Sequence, residues 1–412
     1  MEKGVELDRI RSNERIKVVH LSNHEISLKV HSRNQMNFLR NRGYDVSMVC
    51  NPGDSFKSDS TTQDGIFVKA IPFPSRISPF RDIATFFRLW RYMRKEKFHI
   101  VHTHMIKPGL LGRLAARLAG VPVVLHTVHG FYFHDLMPSN VIKFYATMER
   151  VGAMCSDLVL SQNREDIDRA IYMKICQPDK IKYLGNGIDI DTFTPELVTP
   201  ELVMKKRKEL GIEPNRKIVC QIARLVDHKG YQDFFEAAKI LKAKEFPAVF
   251  LAIGQRHYKN GAIDPYRMIE DMNLDGYVRF LGERDDIPDL MAAMDLIVLA
   301  SWGVEGIPRV MMECAALGKA AVATNVRGNR EAVLHGETGY LVPPRDPRRL
   351  AEAIEAYLNS SEKTDNMGLS ARRRAVELFD ERDYFEKTDQ FYRQLLHAKA
   401  IQTNMLKPSI SH

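Results

Sequence analysis

The stretch Leu296–Gly318, LIVLASWGVEGIPRVMMECAALG, decides the fold of this chain. Leu296 to Ala300 are continuously apolar, and a short apolar run closed by turn chemistry reads as a strand buried in a parallel sheet. Ser301 to Gly306 reads as a loop. Pro308 suits the first turn of a helix, where its missing N–H costs nothing. Val310, Met311, Cys314, Ala315 and Leu317 give that helix an apolar face, and Gly318 a stop. Glu305 falls on the loop and Glu313 on the helix. In an open α/β sheet, ligands bind outside the carboxyl ends of the strands. That puts Glu305 where a ligand sits, with the N–H groups at the helix entrance favouring an anion. The two acids need not face each other as acid and base. A divided task is more natural, one near a reacting group and the other accepting hydrogen bonds from hydroxyls. Taken alone, two glutamates at this spacing read as solvated surface acids; their neighbours argue otherwise.

EGIPRVMMECAALGKAAVAT, followed by Arg327-Gly328-Asn329-Arg330-Glu331 and HGETGYLVPP, resembles the donor-site core of retaining glycosyltransferases of family 4. The E-x7-E motif of that family maps onto Glu305 and Glu313. QIARLVDHKG resembles its Arg-x4-Lys pair, here Arg224 and Lys229, and NGID at Asn186 to Asp189 resembles the junction opening its second domain. The match is dense from Asn186 to Pro344 and patchy before it. The resemblance implies a GT-B architecture, with two doubly wound Rossmann-like domains facing across a cleft. It places an acceptor-binding domain at residues 1–190, a donor-binding domain at 191–380 and a helical segment at 381–412 that crosses back to the first domain. Composition shift agrees with a boundary near Gly185 to Pro200, where Gly, Asn, Asp, Thr and Pro cluster.

The roles implied are specific. A nucleotide diphosphate sugar leaves as a diphosphate, and Arg224 with Lys229 supplies fixed cations for the developing charge without a metal. As isolated residues the two are ordinary surface cations. Glu313 is expected to hold ribose hydroxyls and Glu305 to orient the donor sugar. The backbone N–H groups of Gly306 and Ile307 reach phosphate or sugar. His129, in HTVHGFYFHD after the strand Val121–Thr127, matches a histidine that contacts the donor sugar in similar enzymes; a satisfied structural histidine is the alternative. His126, His134, His102 and His104 are weaker candidates. Their spacing is not i,i+4 on a helix and no cysteine joins them, so no metal site is assigned. Arg309 departs from the apolar residue common in the family, and either touches phosphate or faces solvent. The first strand–helix turn lacks the family's double glycine; His24, Lys29 and His31 there either meet an acceptor phosphate or are simply exposed.

Length and composition agree. A chain of 412 residues calls for two domains, and 44% hydrophobic with 27% charged residues is ordinary for a soluble globular protein. The five cysteines form no C-x-x-C pair, which argues for a reducing compartment. The N-terminus has no secretory apolar region, and no apolar run is long enough to span a bilayer. Residues 1–190 carry 28 Lys and Arg against 19 Asp and Glu, so the first half holds the excess positive charge. An anionic partner is implied: nucleic acid, an anionic membrane surface or a lipid diphosphate.

Strands are expected at 16–21, 45–50, 65–71, 100–102, 121–127 and 158–161. A second series follows at 218–223, 248–253, 278–281, 296–300 and 320–324, and helical segments separate the strands in both, implying parallel sheets. NPGDSFKSDSTTQDG is expected as a loop and Leu350–Lys399 as helical. Phe80–Phe98 interleaves Phe86, Phe87, Trp90 and Tyr92 with Arg81, Arg88, Arg91, Arg94, Lys95 and Lys97. That mixture suits an interfacial helix on an anionic leaflet, and equally an amphipathic helix with Phe87 and Trp90 at core spacing. Asp285-Asp286 reads as a helix cap or, in a metal-dependent enzyme, as a Mg²⁺ ligand pair.

The reading is therefore a cytoplasmic, retaining, metal-independent transferase with a nucleotide diphosphate sugar as donor and no separate cofactor. The acceptor implied by the HTVHGFYFHD region is a polyprenyl-diphosphate-linked sugar, as in capsular or exopolysaccharide assembly at the inner membrane face; a soluble saccharide acceptor is the alternative. Rivals are a sugar-nucleotide epimerase, a phosphorylase, for which no pyridoxal-phosphate lysine motif is present, and a nucleic-acid-binding protein, for which no module is recognisable.

Overall fold

A computed structural model of the chain describes residues 15–23, 33–53, 58–74, 76–134, 137–255, 263–303 and 305–405. The candidates His24, Lys29 and His31 lie outside these residues. The chain divides into two compact units. Unit 1 comprises Met1–Ser161, Ile167–Leu184 and the chain from Phe385 onward; unit 2 comprises Gln162–Asp166 and Gly185–Tyr384. Gln162–Asp166 thus sits in unit 2, apart from the residues that flank it. Its polar side chains explain this, since Asn163, Glu165 and Asp166 bond to Gly306, Arg330 and Arg327.

Unit 1 is built on a sheet whose strands, among the described residues, are β1 (Lys17–Leu21), β2 (Asp45–Cys50), β3 (Ser60–Thr61), β4 (Phe67–Ala70), β5 (Ile100–His104), β6 (Val123–Val128), β7 (Leu158–Ser161) and β8 (Ile181–Tyr183). Their order is β3-β4-β2-β1-β5-β6-β7-β8, parallel except for β3 against β4. The order reverses at β1, so the carboxyl ends of β1 and β5 form a switch point. The helix Ile106–Ala119 lies close on this sheet: a Cβ at Gly112 would stand 2.6 Å from Leu21. Residues from the end of the chain complete the unit. Gln35 Nε2 donates to Thr388 Oγ1 at 3.0 Å and the Tyr44 hydroxyl donates to Asp389 at 2.6 Å.

In unit 2 the strands are β9 (Lys217–Ile222), β10 (Ala248–Ile253), β11 (Val278–Phe280), β12 (Leu296–Leu299), β13 (Ala321–Thr324) and β14 (Gly339–Val342). They run parallel in the order β11-β10-β9-β12-β13-β14. Alternation gives each face its own core. Cys220, Leu251, Ile297 and Ala323 belong to one cluster, and Val219, Phe250, Val298 and Val322 to the other. The switch point falls between β9 and β12.

Three strands escape the sequence reading. β3 lies in the segment expected as loop, and β8 and β14 are short. Leu350–Lys399 resolves into the helices Pro347–Leu358, Ser361–Leu378 and Glu381–Met405. In the helix Pro79–Glu96 the buried residues are Thr85, Leu89 and Met93. Phe87, expected at core spacing, is 52% exposed, because that core stripe turns it outward.

Candidate active site

The two segments read from the sequence meet at the switch point of unit 2. Arg224 and Lys229 follow β9; Glu305 follows β12. The contact requires the two loops to touch, and Gly230 permits it. With φ at 72°, it passes so close to Ala300 that a Cβ would lie 1.9 Å from the Ala300 carbonyl oxygen. Gln221, fully buried on β9, ties the loops together. Its Nε2 donates to the Lys229 carbonyl at 3.0 Å, and its Oε1 accepts from the Ala300 N–H at 3.1 Å. The result is a buried ion pair, Lys229 Nζ to Glu305 Oε1 at 2.6 Å, with side chains 14% and 8% exposed. Burial works to raise the Glu305 carboxyl, but the Lys229 ammonium outweighs it and holds the pKa below the usual value. His228, next to Lys229, is pushed down to about 4 by burial and by that same ammonium, so its ring is neutral at physiological pH. The Arg224 side chain is exposed, and among the described residues its guanidinium has no ion-pair partner.

The loop beyond Glu305 is strapped from behind. Asn163 Nδ2 donates to the Gly306 carbonyl at 3.3 Å and Asn186 Nδ2 to the Ile307 carbonyl at 3.2 Å. Gly328 lies so close that a Cβ there would meet the Gly306 carbonyl oxygen at 2.1 Å. Eight residues of helix follow, Arg309–Ala316, with Pro308 as the N-cap residue. Glu313 is on that helix with Arg309 one turn before it, the two 3.4 Å apart. Burial raises the Glu313 carboxyl and the Arg309 guanidinium opposes the rise. Arg309 therefore does not point to solvent. It is 23% exposed and also donates to the Gly187 carbonyl at 3.3 Å.

Other candidates are placed differently. Asp286 caps nothing with its side chain. Both its oxygens are engaged, by Arg284 and by Lys206 at 2.5 Å. Arg284 first and Lys206 after it hold the carboxyl well below the usual range. In unit 1, His129 follows β6 and lies 3.0 Å from His104. His126 points to the other face, 2.9 Å from Thr103 Oγ1 and near the buried Arg113–Glu149 pair. His102 and His104 join His20 in a buried cluster whose ligand-capable atoms lie within 4.8 Å of one another. Strand alternation and register, not i,i+4 spacing, bring this grouping together.

No helix among the described residues is long and apolar enough to cross a membrane.

Comparison with known proteins agrees with this geometry. Residues 203–374 match the model of glycosyl transferases group 1, and residues 28–187 that of the glycosyl transferase 4-like domain. The chain is 33% identical over 333 residues to the UDP-Gal:alpha-D-GlcNAc-diphosphoundecaprenol alpha-1,3-galactosyltransferase of Escherichia coli, covering 80% of this chain and 82% of that protein. It is 26% identical to the capsular polysaccharide biosynthesis glycosyltransferase CapM of Staphylococcus aureus, over 88% of this chain and 93% of that one. Among solved structures, HepE of Anabaena in complex with UDP and glucose superposes with a TM-score of 0.76 at 21% identity, covering 92% of this chain and all of that one. WaaG, a glycosyltransferase involved in lipopolysaccharide biosynthesis, gives 0.68 at 15% identity over 91% and 99%. At such identities the structures speak to the fold, which is GT-B. Fold, family models and relatives agree: the chain belongs to the group 1 family of glycosyl transferases.

Proposed function

We propose that this chain transfers a sugar from a nucleotide diphosphate sugar to a hydroxyl of a polyprenyl-diphosphate-linked saccharide, with retention at the anomeric carbon and without a metal. The observation that carries the reading is the convergence of Lys229, Arg224 and Glu305 at the switch point of unit 2. A buried Lys229–Glu305 pair with the exposed Arg224 on the same loop as Lys229 suits a departing diphosphate attached to a polyhydroxylated ring. Arg224 and Lys229 stabilise the diphosphate as the bond to the sugar lengthens. Glu305 accepts hydrogen bonds from the donor sugar and Glu313 from the ribose. The N–H groups of Gly306 and Ile307 bind phosphate or sugar oxygens, and His129 contacts the donor sugar. The acceptor class is supported by relatives whose names specify diphosphoundecaprenol substrates, including the N,N'-diacetylbacillosaminyl-diphospho-undecaprenol alpha-1,3-N-acetylgalactosaminyltransferase of Campylobacter jejuni, 27% identical over 74% of this chain.

A lipid-linked acceptor asks for a membrane surface. The helix Pro79–Glu96 supports one: Phe80, Ile83 and Phe87 are 89%, 54% and 52% exposed, with Arg81, Arg88, Arg91 and Arg94 exposed around them. An apolar stripe flanked by cations fits an anionic leaflet, and this supports reading the protein as peripheral on the cytoplasmic face of the cell membrane.

The test is a panel of nucleotide sugars screened by thermal stabilisation, then turnover on a synthetic polyprenyl diphosphate saccharide with the product anomer read by NMR. A donor near 100 times its Kd stabilises by about 2.7 kcal/mol. Stabilisation by no nucleotide sugar, or an inverted product, refutes the corresponding part of the proposal.

A further inference from the structure

The chain enters unit 2 at Gln162 and again at Gly185. Each entry carries an asparagine that donates to the loop beyond Glu305. Asn163 Nδ2 donates to the Gly306 carbonyl and Asn186 Nδ2 to the Ile307 carbonyl, so two consecutive peptides are tied. The two side chains are built alike. Asn163 Oδ1 accepts from the Asp166 N–H at 2.8 Å, and Asn186 Oδ1 accepts from the Gly187 N–H at 3.0 Å. Turning either amide over would set oxygen against oxygen and NH2 against N–H, which fixes the side that faces the carbonyl. Their segments are anchored in turn. Asp166, fully buried, pairs with Arg327 at 3.0 Å. Gly328, next in the chain, is the residue whose Cβ would strike the Gly306 carbonyl. The Gly187 carbonyl accepts from Arg309, at the start of the helix that follows the loop.

Peptide geometry says what the ties do. The Ile307–Pro308 peptide has no N–H, so its carbonyl is the only polar group by which it can be gripped. Asn186 grips it there. The Gly306–Ile307 peptide is trans, like the other peptides of the described residues. A planar trans peptide points its C=O and its N–H in opposite directions. Tying the Gly306 carbonyl to Asn163 therefore sets the direction of the Ile307 N–H. Glycine gives that tie its importance, because the φ and ψ of Gly306 are less restricted by sterics than those of any other residue type. Ile307 is held by its own burial, at 3% exposed, and by the proline after it. The ties supply what local sterics at Gly306 leave open.

We propose that Asn163 and Asn186 are a pair of positioning residues for the donor site, holding the Gly306–Ile307 backbone in one geometry before a ligand arrives. Each acts through the peptide it holds. A loop ordered in advance spares the substrate the entropic cost of ordering it, and its dipoles need no reorientation during reaction. Asn186 opens the NGID segment, whose resemblance marks a domain junction; the junction thereby gains a second task. The value of the ties for turnover rests on the proposed donor contacts of Gly306 and Ile307; the ties themselves do not.

The experiment is hydrogen–deuterium exchange of the full-length protein, read by mass spectrometry, on wild type, Asn163→Ser, Asn186→Ser and the double variant. Steady-state kinetics accompany it, with UDP-galactose, UDP-glucose and GDP-mannose as donors and a synthetic polyprenyl diphosphate saccharide as acceptor. Serine keeps a short acceptor for the segment's own N–H but does not reach the carbonyl. The reporters are the Met311 and Met312 amides, which donate to the Pro308 carbonyl. In each single variant they exchange at least about fivefold faster, while β10 exchanges as in wild type. Turnover falls about tenfold in kcat, with the acceptor KM within about twofold. Because both ties hold one run, the double variant loses less than the product of the single losses. Unchanged exchange at Met311 and Met312 in a folded variant overturns the proposal. So does faster exchange with unchanged kcat, and a double variant at the full product overturns the pairing. Should one single variant fail to fold, the other carries the test. A wild type that turns over no donor refutes the transferase reading instead; exchange needs no substrate and still decides whether the ties hold.

Discussion

Lys229→Met tests the centre of the proposed site. It leaves Glu305, whose side chain is 8% exposed, without the ammonium 2.6 Å away. Removing one partner of a buried pair costs about 3–5 kcal/mol, because the remaining charge is stranded. The pair is not fully enclosed, so the lower value applies. Unit 2 spans Gly185–Tyr384 with a short inserted segment; at that size each kcal/mol moves Tm by about 2–4 °C, giving a loss of about 6–12 °C. The sign with pH follows from Glu305. Its folded pKa is depressed, so in wild type the pair's stability is present above the unfolded value of about 4.3 and is lost as pH falls through the folded pKa. In Lys229→Met burial is opposed only by the Ser301 hydroxyl and by His228, the lesser of the depressing causes, and the Glu305 pKa rises above its unfolded value. The deficit against wild type is therefore greatest near pH 8 and shrinks towards pH 5, where the stranded carboxyl takes up a proton. Glu305→Gln in the same background restores most of the loss at pH 8. The assay is calorimetry of both single variants and the double variant at pH 5 and 8. A Tm for Lys229→Met within 2 °C of wild type at pH 8 would refute the argument, as would a double variant showing the sum of the two single losses; 2 °C corresponds to under about 1 kcal/mol here.

Arg224→Ala, at an exposed position, leaves Tm within about 1 °C and cuts kcat by at least tenfold, about 1.4 kcal/mol of transition-state stabilisation; unchanged kcat removes it from the mechanism. Turnover survives exhaustive EDTA treatment, and loss restored by Mg²⁺ or Mn²⁺ would require a metal site. Charge reversal at Arg88, Arg91 and Arg94 weakens co-sedimentation with anionic vesicles while leaving donor binding unchanged, and the wild-type interaction weakens with salt. Equal binding to neutral and anionic vesicles contradicts the electrostatic account.

Much of this architecture is legible in the sequence because parallel strands buried on both faces write themselves as apolar runs. VVLHTV, AVFLAI and LIVL need no partner to be recognised. β8 and β14 are missed for the opposite reason. IKY and GYLV are short edge strands, their hydrogen bonds shared with one neighbour, and their sequences look like turns. In the candidate site, Arg224, Lys229, Glu305 and Glu313 are visible as a motif. Gln221 is not, because its importance comes from two loops that a sequence does not place side by side. The Arg309–Glu313 pair is an i,i+4 contact that helical spacing alone suggests. The histidine cluster depends on register between β1 and β5, information that only the folded chain holds.

The membership of Phe385 onward in unit 1 has a consequence for how the protein is made. Some 200 residues separate Leu184 from Phe385, about 10–40 s of ribosomal synthesis. Throughout that interval the first sheet is present while Thr388, Asp389 and Tyr392, which close on Gln35, Tyr44 and the histidines, do not yet exist. Unit 2 can finish first, and the earlier half of the chain waits with its polar interior open. A nascent chain ending at Tyr384 should be cleaved by protease in residues 15–184 while unit 2 resists. Equal resistance of both units would show that the first folds without its last helix.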